Sequence, residues 1–305
     1  MSESRPIPVR RPLDFRATLL MFVLCVIWGI QQPAMKGIAG DIAPTMQLWL
    51  RFSIAAVFFG VWTIWRERTR LFADGTLRSG LLLGLMFSLE FILVGEALLH
   101  TTAAHSVVFL YTSPIFTALG VQFLPEERLS VAQWTGIGVA VLGIAVAFLG
   151  GGSRPALEMI QGDLLALCAA VIWGATNVVL RRGRVGNAAT YKTVFYQLGM
   201  ASLVIGAFAF ASGQTRLAWT PLALLSMTFQ TLLVAIASYL LWFWLLRHYL
   251  TSRLMLMTLL TPLLGVVFGA VLLHDPIELR FALGTVLVLG GVLIVNDWRP
   301  GGARR

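Results

Sequence analysis

A carboxylic acid at position 90 interrupts an apolar run that extends from residue 77 to residue 99. Counting about 1.5 Å of helix per residue from Arg78 places Glu90 near the middle of that run. A charged carboxylate at the centre of a bilayer costs roughly 2.5–3.5 kcal/mol, so Glu90 must face a partner, the bundle interior or a wet cavity. There it could hold a ligand ammonium group or a proton; a structural pair, or a neutral hydrogen-bonded acid, would meet the same cost. Glu96 lies about 240° further round the same helix, which leaves it to pair with His100 or Arg51 in an architectural role. Trp28, followed one turn later by Gln31 and Gln32, is answered far along the chain by Trp173 and Asn177. An amide surrounded by lipid needs a hydrogen-bond partner, so these groups should point inward and floor a cavity suited to an amphipathic organic solute. Helix packing alone would also account for the tryptophans. Tyr111 and Tyr239, with Gln230, are further lining candidates.

Pro114 and Pro262 interrupt two other apolar runs. Each lacks an amide hydrogen and clashes with the carbonyl four residues back, at Leu110 and Thr258. Each should bend its helix, as a hinge or as a static kink. Enzyme signatures are absent: there is no Gly-x-Ser-x-Gly, no His-Glu-x-x-His and no Gly-x-x-x-x-Gly-Lys phosphate loop. No cofactor and no metal is expected. Cys25 and Cys168 fit neither a metal spacing nor a disulfide framework, and His100 and His105 read as interfacial.

The elements that must position these residues are dictated by composition. The chain has 305 residues, of which 58% are hydrophobic and 12% charged. Soluble domains carry about 25% charged residues, so lipid must be the solvent for most of this surface. Ten apolar runs have the length a helix needs to cross the hydrocarbon layer: 15–36, 44–65, 77–99, 103–124, 130–150, 161–181, 190–211, 220–246, 251–273 and 279–296. Their continuity argues against strands, which would alternate and have to close into a barrel. Trp49, Trp65, Trp219 and Trp298 near the ends of runs read as interfacial anchors. Spans five and ten are rich in glycine (Gly136, Gly138, Gly143; Gly284, Gly290, Gly291) and read as packing struts. Ser130 to Gln133 fits a capping box, and Thr220-Pro221 a helix start.

The chain is written twice. Val26-Ile27-Trp28-Gly29 recurs as Val171-Ile172-Trp173-Gly174, an offset of 145 (171 − 26), and further on Pro114 meets Pro262 at an offset of 148 (262 − 114). With the N-terminus inside, 18 of the 23 Lys and Arg residues fall on inner segments, which is the positive-inside pattern. The net charge of +9 is therefore read as topology rather than as a nucleic-acid surface. Five crossings per copy set the copies in opposite orientations. The expected fold is an all-α membrane protein of ten transmembrane helices, two inverted five-helix repeats around a central cavity. Residues 1–14 form a cytoplasmic tail, 15–150 the first repeat, 151–296 the second and 297–305 a second cytoplasmic tail. Inverted repeats with a midplane site are a common plan of secondary transporters.

The words Val26-Ile27-Trp28-Gly29, Arg51-Phe52, Ala97-Leu98 with Ala103-Ala104, Ser113-Pro114 and Glu127-Arg128-Leu129, with Thr261-Pro262 and Gly290-Gly291 in the second copy, stand in order along nearly the whole chain. In this the sequence resembles the drug/metabolite transporter superfamily, specifically its EamA-type ten-helix members, and among them the aromatic amino acid exporters. The resemblance implies export of amino acids or other small metabolites and an architectural Arg51. Two departures stand out: Glu90 and Glu96 fall where many relatives carry aromatic or apolar residues, and Glu127 is answered only by Asp275.

The expected function is that of a secondary transporter rather than an enzyme. It exports small amphipathic metabolites, aromatic or neutral amino acids foremost, across the inner (plasma) membrane by alternating access. Trp28, Gln31, Gln32, Glu90, Tyr111, Trp173, Asn177 and Tyr239 would bind substrate, with Pro114 and Pro262 as hinges. Its partners would be a small-molecule substrate and the lipid bilayer, not nucleic acid, and a monomer would suffice. The alternatives are a multidrug or organic-cation exporter coupled to protons through Glu90, a membrane-embedded enzyme, and a scaffold.

Overall fold

The computed structural model describes residues 14–67, 75–123, 129–148, 156–182, 190–250, 254–255 and 257–296. The basic N-terminal stretch to residue 13, Glu127-Arg128, Trp298 and the tail 297–305 lie outside the described residues. Within them the protein is helical, with one isolated antiparallel bridge, Ile42 to Leu217.

The helices are α1 (Phe15–Gly37), α2 (Pro44–Glu67), α3 (Leu77–His100), α4 (Ala103–Leu110), α5 (Ser113–Val121), α6 (Val131–Phe148), α7 (Ala156–Arg182), α8 (Thr190–Ala211), α9 (Pro221–Thr228), α10 (Ser238–His248), α11 (Leu260–Leu273) and α12 (Leu279–Asn296). A π-helical stretch, Phe229–Ala237, joins α9 to α10. Among the described residues seven stretches are long and apolar enough to cross a membrane, α4–α5 and α9–α10 each counting as one; Val131–Ala147, Leu260–Leu273 and Leu279–Val295 are shorter apolar helices. Helix starts follow local chemistry. Asp14 caps α1 by accepting from the Ala17 amide at 2.7 Å. Ser130 and Gln133 bond reciprocally at 2.9 and 3.2 Å to open α6, and Thr220 accepts from the Ala223 amide at 3.1 Å to open α9.

The spans containing the two prolines break. The first passes from α4 to α5 through Tyr111 and Thr112, and the second turns at Thr258 and Leu259 before α11. At each break a threonine hydroxyl donates three residues back, Thr112 to the Phe109 carbonyl at 2.6 Å and Thr258 to the Met255 carbonyl at 2.7 Å. These bonds fall beside the carbonyls of Leu110 and Thr258, the ones that Pro114 and Pro262 deprive of their usual helical amide partner.

Helices pack across the two halves of the chain: α6 along α12, α2 along α8, α3 along α7 and α1 along α11. The first contact is the strut pair read from the glycines. A Cβ on Gly136 would stand 2.9 Å from the Gly291 carbonyl, and one on Gly291 2.5 Å from the Gly136 carbonyl, so only bare backbone allows the approach. One core gathers Phe52, Phe59, Phe87 and Leu198 between α2, α3 and α8; another gathers Phe109, Ile137, Phe281 and Val292 around α4, α6 and α12. Apolar side chains on the outer faces are bare, Val57, Leu203 and Leu225 among them, as befits lipid contact. Lys192, placed by its position in sequence with the basic side, is buried in the first turn of α8, its ammonium 5.9 Å from the Tyr196 ring.

Candidate functional site

The helices enclose a cavity of about 730 Å³, within the range that holds small organic ligands. All eight candidate binding residues line it: Trp28, Gln31 and Gln32 from α1, Glu90 from α3, Tyr111 at the α4–α5 break, Trp173 and Asn177 from α7, and Tyr239 from α10. Pro114 lines it too; Pro262 does not, being buried within α11. The cavity runs down to Leu129, Gln133, Leu180, Met255 and Val295, residues close in sequence to the basic connections that carry Arg128, Arg181, Arg182, Arg253 and Arg299.

The two tryptophans stand in related settings. Trp28 donates its indole hydrogen to Ser238 Oγ at 3.1 Å and meets Trp242 edge-on at 5.5 Å. Trp173 meets Tyr111 edge-on, also at 5.5 Å. Asn177 donates to Thr117 Oγ1 at 3.2 Å. Phe52, Phe87 and Phe91 form a contiguous aromatic wall, with ring centroids 4.6–5.3 Å apart. Glu90 projects beside this wall. It is 5% exposed, and no hydrogen bond or ion pair joins it to another described residue.

Arg51 was read as architectural, yet it lines the cavity and is 1% exposed. Its guanidinium lies 4.7 Å from the Phe52 ring centroid and 5.3 Å from that of Phe91. It donates to Gln230 Oε1 at 3.3 Å, while its buried Nε has no partner among the described residues. A cation inside an apolar run was signal enough to suspect a site. Gln230 backs the cavity rather than lining it, donating to Gln47 Oε1 at 2.8 Å and Ser226 Oγ at 3.1 Å. The phenylalanines, Ser238 and Trp242 carried no distinguishing signal, since aromatic and small residues are common on buried helix faces. The π-helical turn that sets the facing of α10 left no mark in the hydropathy.

Several polar partnerships differ from the sequence expectation. Glu96 pairs neither with His100 nor with Arg51; it accepts from Gln214 Nε2 at 2.6 Å, and Gln214 accepts from Thr45 at 3.0 Å. His105 is not interfacial. It is buried, its Nδ1 2.9 Å from Asp163 Oδ2, and its ring stacks on Phe281 at 3.9 Å. Asp163 also accepts from Thr101 at 2.5 Å. Lys36 donates to the carbonyls of Leu98, at 2.6 Å, and Thr101, where it caps the end of α3. Trp49 is packed against Gly206 and Phe210, whereas Trp65 and Trp219 are more than half exposed. Cys25 donates to the Met257 carbonyl at 3.2 Å, and Cys168 is exposed on α7. No group of three His, Cys, Asp or Glu among the described residues could hold a metal ion.

Comparison with known proteins agrees with this architecture. The chain is 26% identical to the uncharacterized transporter YoaV of Bacillus subtilis, over 88% of its own length and 92% of that protein. It is 25% identical to a probable amino-acid metabolite efflux pump of Escherichia coli, over 90% and 93%. It is 23% identical to the aromatic amino acid exporter YddG of Escherichia coli, over 92% and 96%. A solved crystal structure shares the fold, with a TM-score of 0.63 at 22% identity over 92% of this chain and 97% of that one. The sequence pattern of the EamA-like transporter family matches residues 15–149 and again 160–297. A helical bundle with seven membrane-length helices among the described residues, a cavity lined by them and a family match in both halves make this chain a multi-pass membrane transporter that belongs to the EamA-like transporter family.

Proposed function

We propose that this transporter exports small amphipathic metabolites, aromatic or neutral amino acids foremost, across the inner membrane by alternating access between two inverted five-helix repeats. The observation that carries the proposal is the cavity, to which both copies contribute at matching positions, Trp28 with Trp173. The packing of α6 on α12 and α2 on α8 supports the repeat, because each joins a helix to its own counterpart in the other copy. The three shorter apolar helices complete ten crossings.

With the basic side placed in the cytoplasm, the cavity faces inward. The opposite end is closed by a chain of polar contacts. The connection after α1 pairs with that before α9 through Ala43 N to Arg216 O at 3.1 Å and Ala218 N to Asp41 O at 3.0 Å. His105, Asp163, Thr101 and Lys36 tie the ends of α1, α3, α4 and α7 together beside it. Export requires these contacts to part while the inner end of α5 and the inner half of the span before α11 close. Pro114 and Pro262 mark where those spans already depart from helix geometry, and they serve as the hinges. Substrate rings lie against the indoles and the phenylalanine wall, and polar groups meet Gln31, Gln32, Asn177 and Glu90.

The test is flux in reconstituted vesicles. Labelled phenylalanine or leucine should move at rates well above protein-free vesicles, and lipophilic cations should not. Cation movement without amino acid movement would sink the proposal in favour of a cation exporter, a reading that Glu90 beside the aromatic wall supports. Stimulation of flux by an imposed proton gradient would identify antiport, and indifference would identify facilitated diffusion.

A further inference from the structure

Among the described residues that line the cavity only two are charged, Arg51 and Glu90, and their charges are opposite. No ion pair joins them, although they stand on adjacent helices of the chain beside the same phenylalanine wall. The guanidinium lies over Phe91, the neighbour of Glu90 in sequence. Both side chains are nearly buried and, among the described residues, incompletely satisfied: Arg51 has the one bond to Gln230 and an unpartnered Nε, and Glu90, in the cavity lining, has no partner. Gln32, in the same lining, has a buried Oε1 with no partner among the described residues. Buried charges left apart in this way are costly unless something completes them.

We infer that Arg51 and Glu90 form a two-point clamp for a zwitterion, Glu90 taking the α-ammonium and Arg51 the α-carboxylate of an amino acid. This rests on the exporter reading and sharpens it from amphipathic metabolites to molecules carrying both charges. The lining sums to no net charge, so a zwitterion completes both groups at once. An organic cation of the same shape would satisfy Glu90 and leave Arg51 unmet; an organic anion would do the reverse. Specificity of this kind comes from the uncompensated charge that the wrong ligand leaves behind. The aromatic wall of Phe52, Phe87 and Phe91 in the same lining then receives the side chain of the substrate.

The experiment uses the full-length protein in vesicles loaded with labelled phenylalanine, challenged with two analogues that keep the phenyl ring. Phenethylamine lacks the carboxylate and 3-phenylpropanoate lacks the amine. The wild-type protein should prefer unlabelled phenylalanine to either analogue by roughly ten- to a hundredfold, the value of one charged hydrogen-bonding group. Glu90→Gln should narrow the gap for 3-phenylpropanoate, and Arg51→Gln should narrow it for phenethylamine. Opposite shifts are not expected of a merely structural role. Equal competition by an analogue in the wild-type protein, or a parallel loss of all three ligands in a variant that still folds, would overturn the clamp while phenylalanine flux leaves the exporter reading standing. If the Arg51 variant does not fold, the wild-type analogue series and the Glu90 variant decide. Absence of any amino acid flux would remove the exporter reading and the clamp together.

Discussion

Gly29 lies against Leu264 so closely that a Cβ added to the glycine would stand 2.9 Å from the leucine Cβ. The other copy repeats the contact: a Cβ on Gly174 would stand 2.7 Å from that of Phe116. The glycines are 145 residues apart (174 − 29) and their partners 148 (264 − 116). The same small residue therefore opens the same close approach, of α1 on α11 and of α7 on α5. Gly29→Ala and Gly174→Ala should each destabilise the protein by about 1–3 kcal/mol, as overpacking does. Their apparent melting temperatures in detergent should fall below that of the wild type; an unchanged Gly174→Ala variant would show that α5 and α7 yield freely.

The buried His105–Asp163 pair ties α4 to α7 at 2.9 Å. Removing one partner leaves the other a buried polar group short of a hydrogen bond, at a cost of roughly 1–3 kcal/mol, more where it is charged. His105→Ala and Asp163→Ala should each be destabilising, and the double variant should be less so than the sum. A double-mutant cycle on melting temperature measures the difference. Additive losses would mean that the two side chains act independently and that Thr101 and Phe281 carry the local stability.

The Trp28–Ser238 hydrogen bond positions an indole on the cavity wall. Ser238→Ala should cost about 0.5–1.5 kcal/mol of stability and raise KM for transport by freeing the ring. Trp28→Phe removes the same donor and should reproduce the effect. A Ser238→Ala protein with unaltered KM would leave Trp28 held by its edge-on contact with Trp242 alone.

Replacing a proline restores an amide hydrogen at a position where the chain has left the helix. Pro114→Ala and Pro262→Ala should permit bonds to the carbonyls of Leu110 and Thr258 and straighten the two spans. If the breaks act as the proposed hinges, turnover should fall several-fold in each while equilibrium binding of substrate changes little, because most of the cavity wall is kept. Wild-type turnover in both variants would reduce the breaks to static kinks.

At the start of α1 the Ala17 amide holds the Asp14 carboxyl below its usual value, helped by the Tyr249 hydroxyl at 3.0 Å. A depressed carboxyl pKa stabilises the folded state above the ordinary carboxyl value. That contribution is lost as the pH falls through the lower, folded-state value. Asp14→Asn keeps a capping oxygen without the charge, so melting temperature measured across the acid range should fall less steeply than in the wild type. Identical acid profiles would show that other carboxylates set the limit.

The sequence alone determined the places where the chain can cross a bilayer and the twofold repetition of those places. A crossing needs about 20 apolar residues, and that requirement is written locally, one run at a time. It also marked Glu90, Trp28, Trp173 and the amides, because a polar group in an apolar run has few alternatives to facing inward. Tertiary structure decided the partners. Glu96 finds Gln214, 118 positions away, and His105 finds Asp163, 58 positions away, because helix crossings bring together side chains that no local periodicity relates. The same packing moved Arg51 from an architectural reading to the cavity wall. Its charge was legible from the residue type, but the direction of its side chain depended on where α2, α3 and the π-helical stretch came to rest.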